Sequence, residues 1–195
     1  MSAKAKGNAF EREMCRILSL WWTGGKADDC FWRTSNSGGR ATVRDRKGKA
    51  TSGHHGDVSA TDGRGKPLLD LLTIELKRGY NSFSAMDILD KPDGGATQVW
   101  EEWISQATES AEGAGTLFWL IIAKKDRREV IVAVPNYFKM ELRIHDLVDL
   151  LDPSGPSVCF KLPHTGFAVV LMRLKDFLTR VTPDDIKELT RLMEP

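Results

Sequence analysis

The chain has 195 residues, 41% hydrophobic and 28% charged, and its 28 Lys and Arg against 27 Asp and Glu leave a net charge of +1. That is long enough for one domain with a substantial core, and the composition is that of a soluble globular protein. No apolar run reaches ~18 residues, the opening MSAKAKGNAF is too polar for a signal peptide, and Cys15, Cys30 and Cys159 are too few and too separated for a disulfide framework or a zinc site. A cytoplasmic protein without membrane contact is expected.

Residues 8–22, NAFEREMCRILSLWW, read as an amphipathic helix. Phe10, Met14, Ile17, Leu18, Trp21 and Trp22 fall in one sector roughly 140° wide, with Arg12, Arg16 and Ser19 opposite. Glu11 lies inside the apolar sector next to Leu18, whereas Glu13 sits on its flank. CFWRT (30–34) is a short strand candidate, with Trp32 a candidate DNA contact. The long stretch that follows is rich in Gly, Ser and basic residues. From Arg33 to Lys49 the chain carries Arg33, Arg40, Arg44, Arg46, Lys47 and Lys49 against Asp45 alone, a local charge suited to an anionic partner. A loop of this length is normally functional or mobile, and it ends in SGHHG, whose His54 and His55 read first as loop residues.

DVSAT (57–61), the turn DGRGK (62–66) and LLDLLTIELK (68–77) read as a β-hairpin. Residues 80–96 are irregular, with a helical turn around Ala85 to Leu89, and TQVWEEWISQATESAEG (97–113) is a helix with Val99, Trp103, Ile104 and Ala107 inward and Gly113 at its end. TLFWLIIAKK (116–125) and EVIVAV (129–134) are strands joined by DRR, and Pro135 stops the second. MELRIHDLVDLLD (140–152) is helical, burying Leu142, Leu147, Val148 and Leu151. SVCFKL (157–162) and FAVVLMRL (167–174) are strands. Thr182, Pro183 and the acids 184 and 185 open a last helix over 183–194.

The chemistry concentrates at Asp57, Glu75 and Lys77. In a hairpin centred near residue 66, Asp57 and Glu75 stand nearly opposite and project to one sheet face. Glu75 and Lys77, two apart on one strand, share that face. Two facing carboxylates repel unless a divalent cation lies between them, and hard oxygen donors of this kind suit Mg²⁺ or Mn²⁺. Such an ion polarises a phosphoryl oxygen and makes hydroxide available at neutral pH, and a nearby lysine orients water or stabilises developing charge.

Asp57 followed by Glu75-Leu76-Lys77 resembles the acid, spacer and E-x-K signature of the PD-(D/E)XK nuclease superfamily, with Gly56 in place of the usual proline. GNAFEREMCRIL looks like the first helix of archaeal-type Holliday-junction resolvases and related phage endonucleases, Gly7 and Glu11 matching their G-x-x-x-E motif. The resemblance covers roughly residues 7–134. It implies an α/β, restriction-endonuclease-like core with a central mixed β-sheet flanked by helices. To this the chain adds a C-terminal α/β extension from about 135 to 195, within a single domain. It also implies DNA phosphodiester hydrolysis with Mg²⁺ or Mn²⁺, in a protein of phage type that is often a homodimer. Asp57, Glu75 and the Leu76 carbonyl would hold metal, Glu11 would complete the acidic cluster and Lys77 would position water. A polar residue of the following helix would stand near the metal, Gln106 first and Gln98 second. Arg33, Arg40, Arg44, Arg46, Lys47, Lys49 and Arg78 would hold DNA. The long 34–56 insertion departs from the small resolvases. A catalytically inactive nuclease-fold module that binds DNA or directs assembly is the alternative, and a small-molecule enzyme or structural α/β protein a third.

Overall fold

A computed structural model describes residues 3–34, 56–79, 87–151 and 156–193. Helix α1 (Ala3–Trp22) leads into β1 (Phe31–Arg33), which pairs antiparallel with β2 (Val58–Ala60), Arg33 opposite Val58. After a 3-10 turn at Gly63–Gly65 come α2 (Lys66–Leu71), β3 (Leu72–Arg78), α3 (Asp87–Asp90), α4 (Gly95–Ala114) and β4 (Phe118–Lys124). Then follow β5 (Val130–Pro135), α5 (Asn136–Ile144), β6 (Ser157–Lys161), β7 (Ala168–Arg173), α6 (Leu174–Arg180) and α7 (Pro183–Met193). The main sheet has the order β3-β4-β5-β7-β6. Its β3–β4 pair is parallel and bridged by α4, while its other pairs are antiparallel. The chain is thus an α/β protein with a five-stranded mixed sheet flanked by helices, consistent with the restriction-endonuclease-like fold.

Both faces of the sheet are covered, which is why LFWLIIAK reads as unbroken apolar sequence rather than alternation. Leu72, Ile74 and Leu76 of β3 point into one core with Phe10, Met14, Leu18 and Trp22 of α1. Trp119, Ile121 and Ala123 of β4 point into the other, under Trp100, Trp103, Ile104 and Ala107 of α4. Glu75 pairs in register with Ile121, so Glu75 and Lys77 share the α4 side. This parity decides which helix meets the charged residues.

Four expectations are corrected. Residues 57–77 do not form a hairpin: β2 pairs with β1, and residues 66–71 are helix α2. Pro67 sits in its first turn, Leu68 and Leu71 bury one face, and Asp70 turns outward 3.9 Å from Lys66. Leucine forms helix as readily as it fills a strand, and the β-branched pair Thr73-Ile74 marks where β3 has taken over. Ser19 is fully buried rather than opposite the apolar face. Its Oγ donates to the Cys15 carbonyl at 2.8 Å and accepts from Phe31 N at 2.8 Å, tying β1 to α1. Helix α5 ends at Ile144, because Asp146 takes φ 54° and Leu147 and Val148 turn their amides back to the Leu142 carbonyl. Gly113 lies within α4, whose stop is Gly115 at φ 72°. Helix α6 was not expected at all; Leu174 and Phe177 bury its inner face directly after β7.

Candidate active site

Asp57 is fixed by its backbone before its side chain acts. Its N–H donates to the Ile74 carbonyl at 2.8 Å, and its own carbonyl accepts from Thr34 N at 2.9 Å. Its Oδ2 accepts from Leu76 N at 2.8 Å. The residue therefore brackets Glu75 along the free edge of β3. Within a strand, one residue's N–H and C=O point the same way. The Leu76 carbonyl thus faces the edge where Asp57 sits, away from the β4 ladder.

Glu75 is 3% exposed and has donors on both oxygens. Oε2 accepts from Lys77 Nζ at 3.1 Å and Gln106 Nε2 at 3.2 Å, and Oε1 accepts from Ser110 Oγ at 3.0 Å. Lys77 Nζ also donates to Gln106 Oε1 at 2.7 Å. Gln106 and Ser110 are four apart on α4, one turn along the same face, which is what lets one helix grip both oxygens. Gln98, in the first turn of α4, is exposed, two turns of helix before Gln106. Ser110 carried no signal in sequence, since a serine in an ATES run reads as surface; its helical spacing from Gln106 was the one available clue.

The third acid comes from α1. Glu11 Oε2 lies 2.9 Å from Arg33 Nε, and both atoms are buried. The contact is one of charge and distance, without hydrogen-bond alignment. Burial raises the Glu11 pKa and the charge of Asp57 adds to the rise, while Arg33 and Arg12 oppose it. Burial also pushes Asp57 up, to about 6, with Glu75 as the second cause; the Leu76 amide, Lys77 and Arg33 pull it down. Among the described residues no three His, Cys, Asp or Glu side chains converge closely enough to hold a metal by themselves. Asp57 and Glu75 instead form a crowded pair, and Glu11 is drawn toward Arg33. The crowding tests the metal expectation: the half-buried Asp57 carboxylate, raised by the buried Glu75 beside it, and an outward-facing carbonyl are the hard oxygen donors a small dication requires. The residues fit it.

Of the expected DNA-binding residues, Arg33 lies at this site, while Arg78 is paired with Asp126 and donates to the Lys124 carbonyl at 3.2 Å. Trp32, next to Arg33 in β1, is 52% exposed. Arg40, Arg44, Arg46, Lys47, Lys49, His54 and His55 lie outside the described residues.

A family model described as "Phage putative PDDEXK endonuclease" matches residues 2–188. The chain belongs to this family. The match runs well past residue 134, so the phage PDDEXK family takes in most of the segment that the sequence presented as an extension. It does not single out the Holliday-junction resolvases, and it offers no support for a homodimer. No curated protein and no solved structure matches the chain. No helix among the described residues is long and apolar enough to cross a membrane.

Proposed function

We propose that this phage-type PDDEXK protein is a DNA endonuclease that hydrolyses phosphodiester bonds with Mg²⁺ or Mn²⁺. The observation that carries the reading is Asp57 set across Glu75 at the open edge of β3, with Lys77 held in the same group. Asp57, Glu75 and the Leu76 carbonyl would hold the cation, with Glu11 as the additional acid. When bound, the cation supplies positive charge to a phosphoryl oxygen and lowers the pKa of water.

The protein's own groups do the rest. An ammonium has three N–H donors, and Lys77 uses two of them on Glu75 and Gln106. The third is left for the attacking water or for a phosphate oxygen as its charge grows, and the two fixed bonds set where it points. Gln106 orients Lys77 and Glu75 together, so it is a positioning residue. Arg33, Arg40, Arg44, Arg46, Lys47, Lys49 and Arg78 would track the DNA backbone, whose contacts position the duplex without reading sequence.

The test is a cleavage panel over duplex, nicked, single-stranded and four-way DNA, with Mg²⁺, Mn²⁺ or EDTA. Wild type is expected to cut at least one of these only when metal is present, with Glu75→Gln slower by ~10²-fold or more. Which DNA structure is cut decides between junction resolution and general endonuclease action. All four substrates left intact in Mn²⁺ would end the proposal.

A further inference from the structure

Charge at the site does not balance within the acids' own neighbourhood. Glu11, Asp57 and Glu75 are in direct contact with two cations, Arg33 on Glu11 and Lys77 on Glu75, while Arg12 acts on Glu11 without an ion pair. Lys77 is well secured, with hydrogen bonds to Glu75 at 3.1 Å and Gln106 at 2.7 Å. Arg33 is not. Its Nε approaches Glu11 Oε2 to 2.9 Å, yet neither buried atom gains a hydrogen bond from the contact. Arginine normally meets a carboxylate through two parallel N–H bonds, and that fork is the source of its specificity. Arg33 serves here as a charge more than as a fork, and its charge reaches Asp57 as well as Glu11. Its side chain is also the more solvent-accessible of the two, 25% exposed against 10% for Lys77.

We propose that Arg33 is an exchangeable counter-cation of this site. It holds Glu11 in the metal-free protein, gives Glu11 up when a divalent cation loads at Asp57 and Glu75, and is then left for a DNA phosphate. The inference rests on the endonuclease reading above. Its physical basis is electrostatic. Counting the groups in direct contact, the site without metal holds three carboxylates and two cations, one negative charge in excess. A dication reverses this to one positive charge in excess, which repels the more loosely held guanidinium and matches a single phosphodiester charge. A guanidinium keeps its charge, so it can leave Glu11 only by moving. An Arg33 that competes with the metal in free protein and binds phosphate once released couples metal loading to DNA binding, and thermodynamic linkage makes that coupling reciprocal.

The experiment is calorimetric titration of Mn²⁺ into DNA-free protein, comparing wild type, Arg33→Gln, Glu11→Gln and the double variant. Removing the competitor is expected to tighten Mn²⁺ on the order of tenfold in Arg33→Gln. The effect should vanish when Glu11 is already Gln. Arg33→Lys, which keeps the charge, should stay close to wild type. At saturating Mn²⁺ the KM of Arg33→Gln for DNA should rise by about tenfold with kcat less affected, as expected when a ground-state phosphate contact is lost. Unchanged or weaker Mn²⁺ binding in Arg33→Gln overturns the inference and leaves the residue an anchor of β1 on α1. If loss of Arg33 lowers stability, thermal unfolding serves instead: saturating Mn²⁺ must raise the Tm of Arg33→Gln more than that of wild type, and an equal or smaller rise overturns the inference. Wild type that binds no Mn²⁺, or binds it equally well as Glu75→Gln, brings down the endonuclease reading itself.

Discussion

Asp57 is where the electrostatic tension of the site collects. In an unfolded chain its carboxyl ionises near 3.8, whereas burial and Glu75 carry it to about 6 in the folded protein. Between those pH values the native state keeps a proton that the unfolded state has released, so stability falls as the pH rises through the window and stays reduced above it. In EDTA at pH 7, Asp57→Asn is therefore expected to stabilise the protein by on the order of 2 kcal/mol while abolishing cleavage. Urea unfolding at pH 7 and again below 3.8 checks this. The gain should be absent at the lower pH, where both forms of the residue are neutral, and a gain that persists there would point to packing instead of charge. Ser110 permits a second test at the same scale. Its hydroxyl holds one Glu75 oxygen, and with Glu75 in the metal-holding role proposed above such a partner typically affects metal affinity or activity by about 10–100-fold. Ser110→Ala is expected to lower Mn²⁺ affinity within that range, and Ser110→Thr to recover most of it. Titration of both variants supplies the answer.

At the scale of elements, one glycine decides how the Asp57 edge is built. Gly56 takes φ 76°, and a Cβ there would lie 2.8 Å from the Ile74 carbonyl oxygen and 3.0 Å from Thr73 Cγ2. Proline is locked near −65° and cannot adopt that angle. The departure of this chain from the usual proline is thus a different backbone route to the same aspartate. Gly56→Ala is expected to cost about 1–3 kcal/mol and to shift Asp57 off the strand edge, lowering cleavage beyond what the stability loss explains. Thermal unfolding beside single-turnover cleavage separates the two effects. The same edge shows what the sequence could and could not convey. The period-2 spacing of Glu75 and Lys77 and the apolar β4 run are local patterns, and they placed the two charges on one face without knowledge of partners. The approach of Asp57 to Glu75 was inferred from a hairpin that does not exist; it arises because β2 joins β1 and the backbone of Asp57 docks on Ile74. LLDLL carries no period that separates helix from strand, so only tertiary packing of Leu68 and Leu71 settles it. Ser19 was misplaced for a related reason: a hydroxyl looks like surface until its partner, the Phe31 amide, is known.

For the whole molecule, the segment beyond residue 135 supports the site from behind. Strand β7 is the antiparallel neighbour of β5, with Val132 opposite Met172, so the β3–β4–β5 part of the sheet has an open apolar flank without it. Helix α7 then folds back on the first half of the chain. Thr190 Oγ1 donates to the Pro67 carbonyl at 3.3 Å, Trp21 Nε1 donates to the Val181 carbonyl at 3.2 Å, and Ile186 and Leu189 are fully buried in the core shared with α1 and α2. Because α2 runs directly into β3, α7 braces the strand that carries Glu75 and Lys77 from the face opposite α4. Leu189→Ala should therefore cost about 2–4 kcal/mol, the usual range for emptying a buried leucine site. In a domain of this size that lowers Tm by roughly 6–12 °C. The loss should be felt unevenly. Amide exchange is expected to accelerate across 66–78, where α7 leans, and less across β4 and β5, which are held on both sides. Glu188→Gln, on the outer face of α7 and paired with Arg191 at 2.6 Å, is the control and should leave stability nearly unchanged. Equal acceleration throughout the sheet in Leu189→Ala would mean that α7 supports the fold as a whole and gives no particular brace to β3.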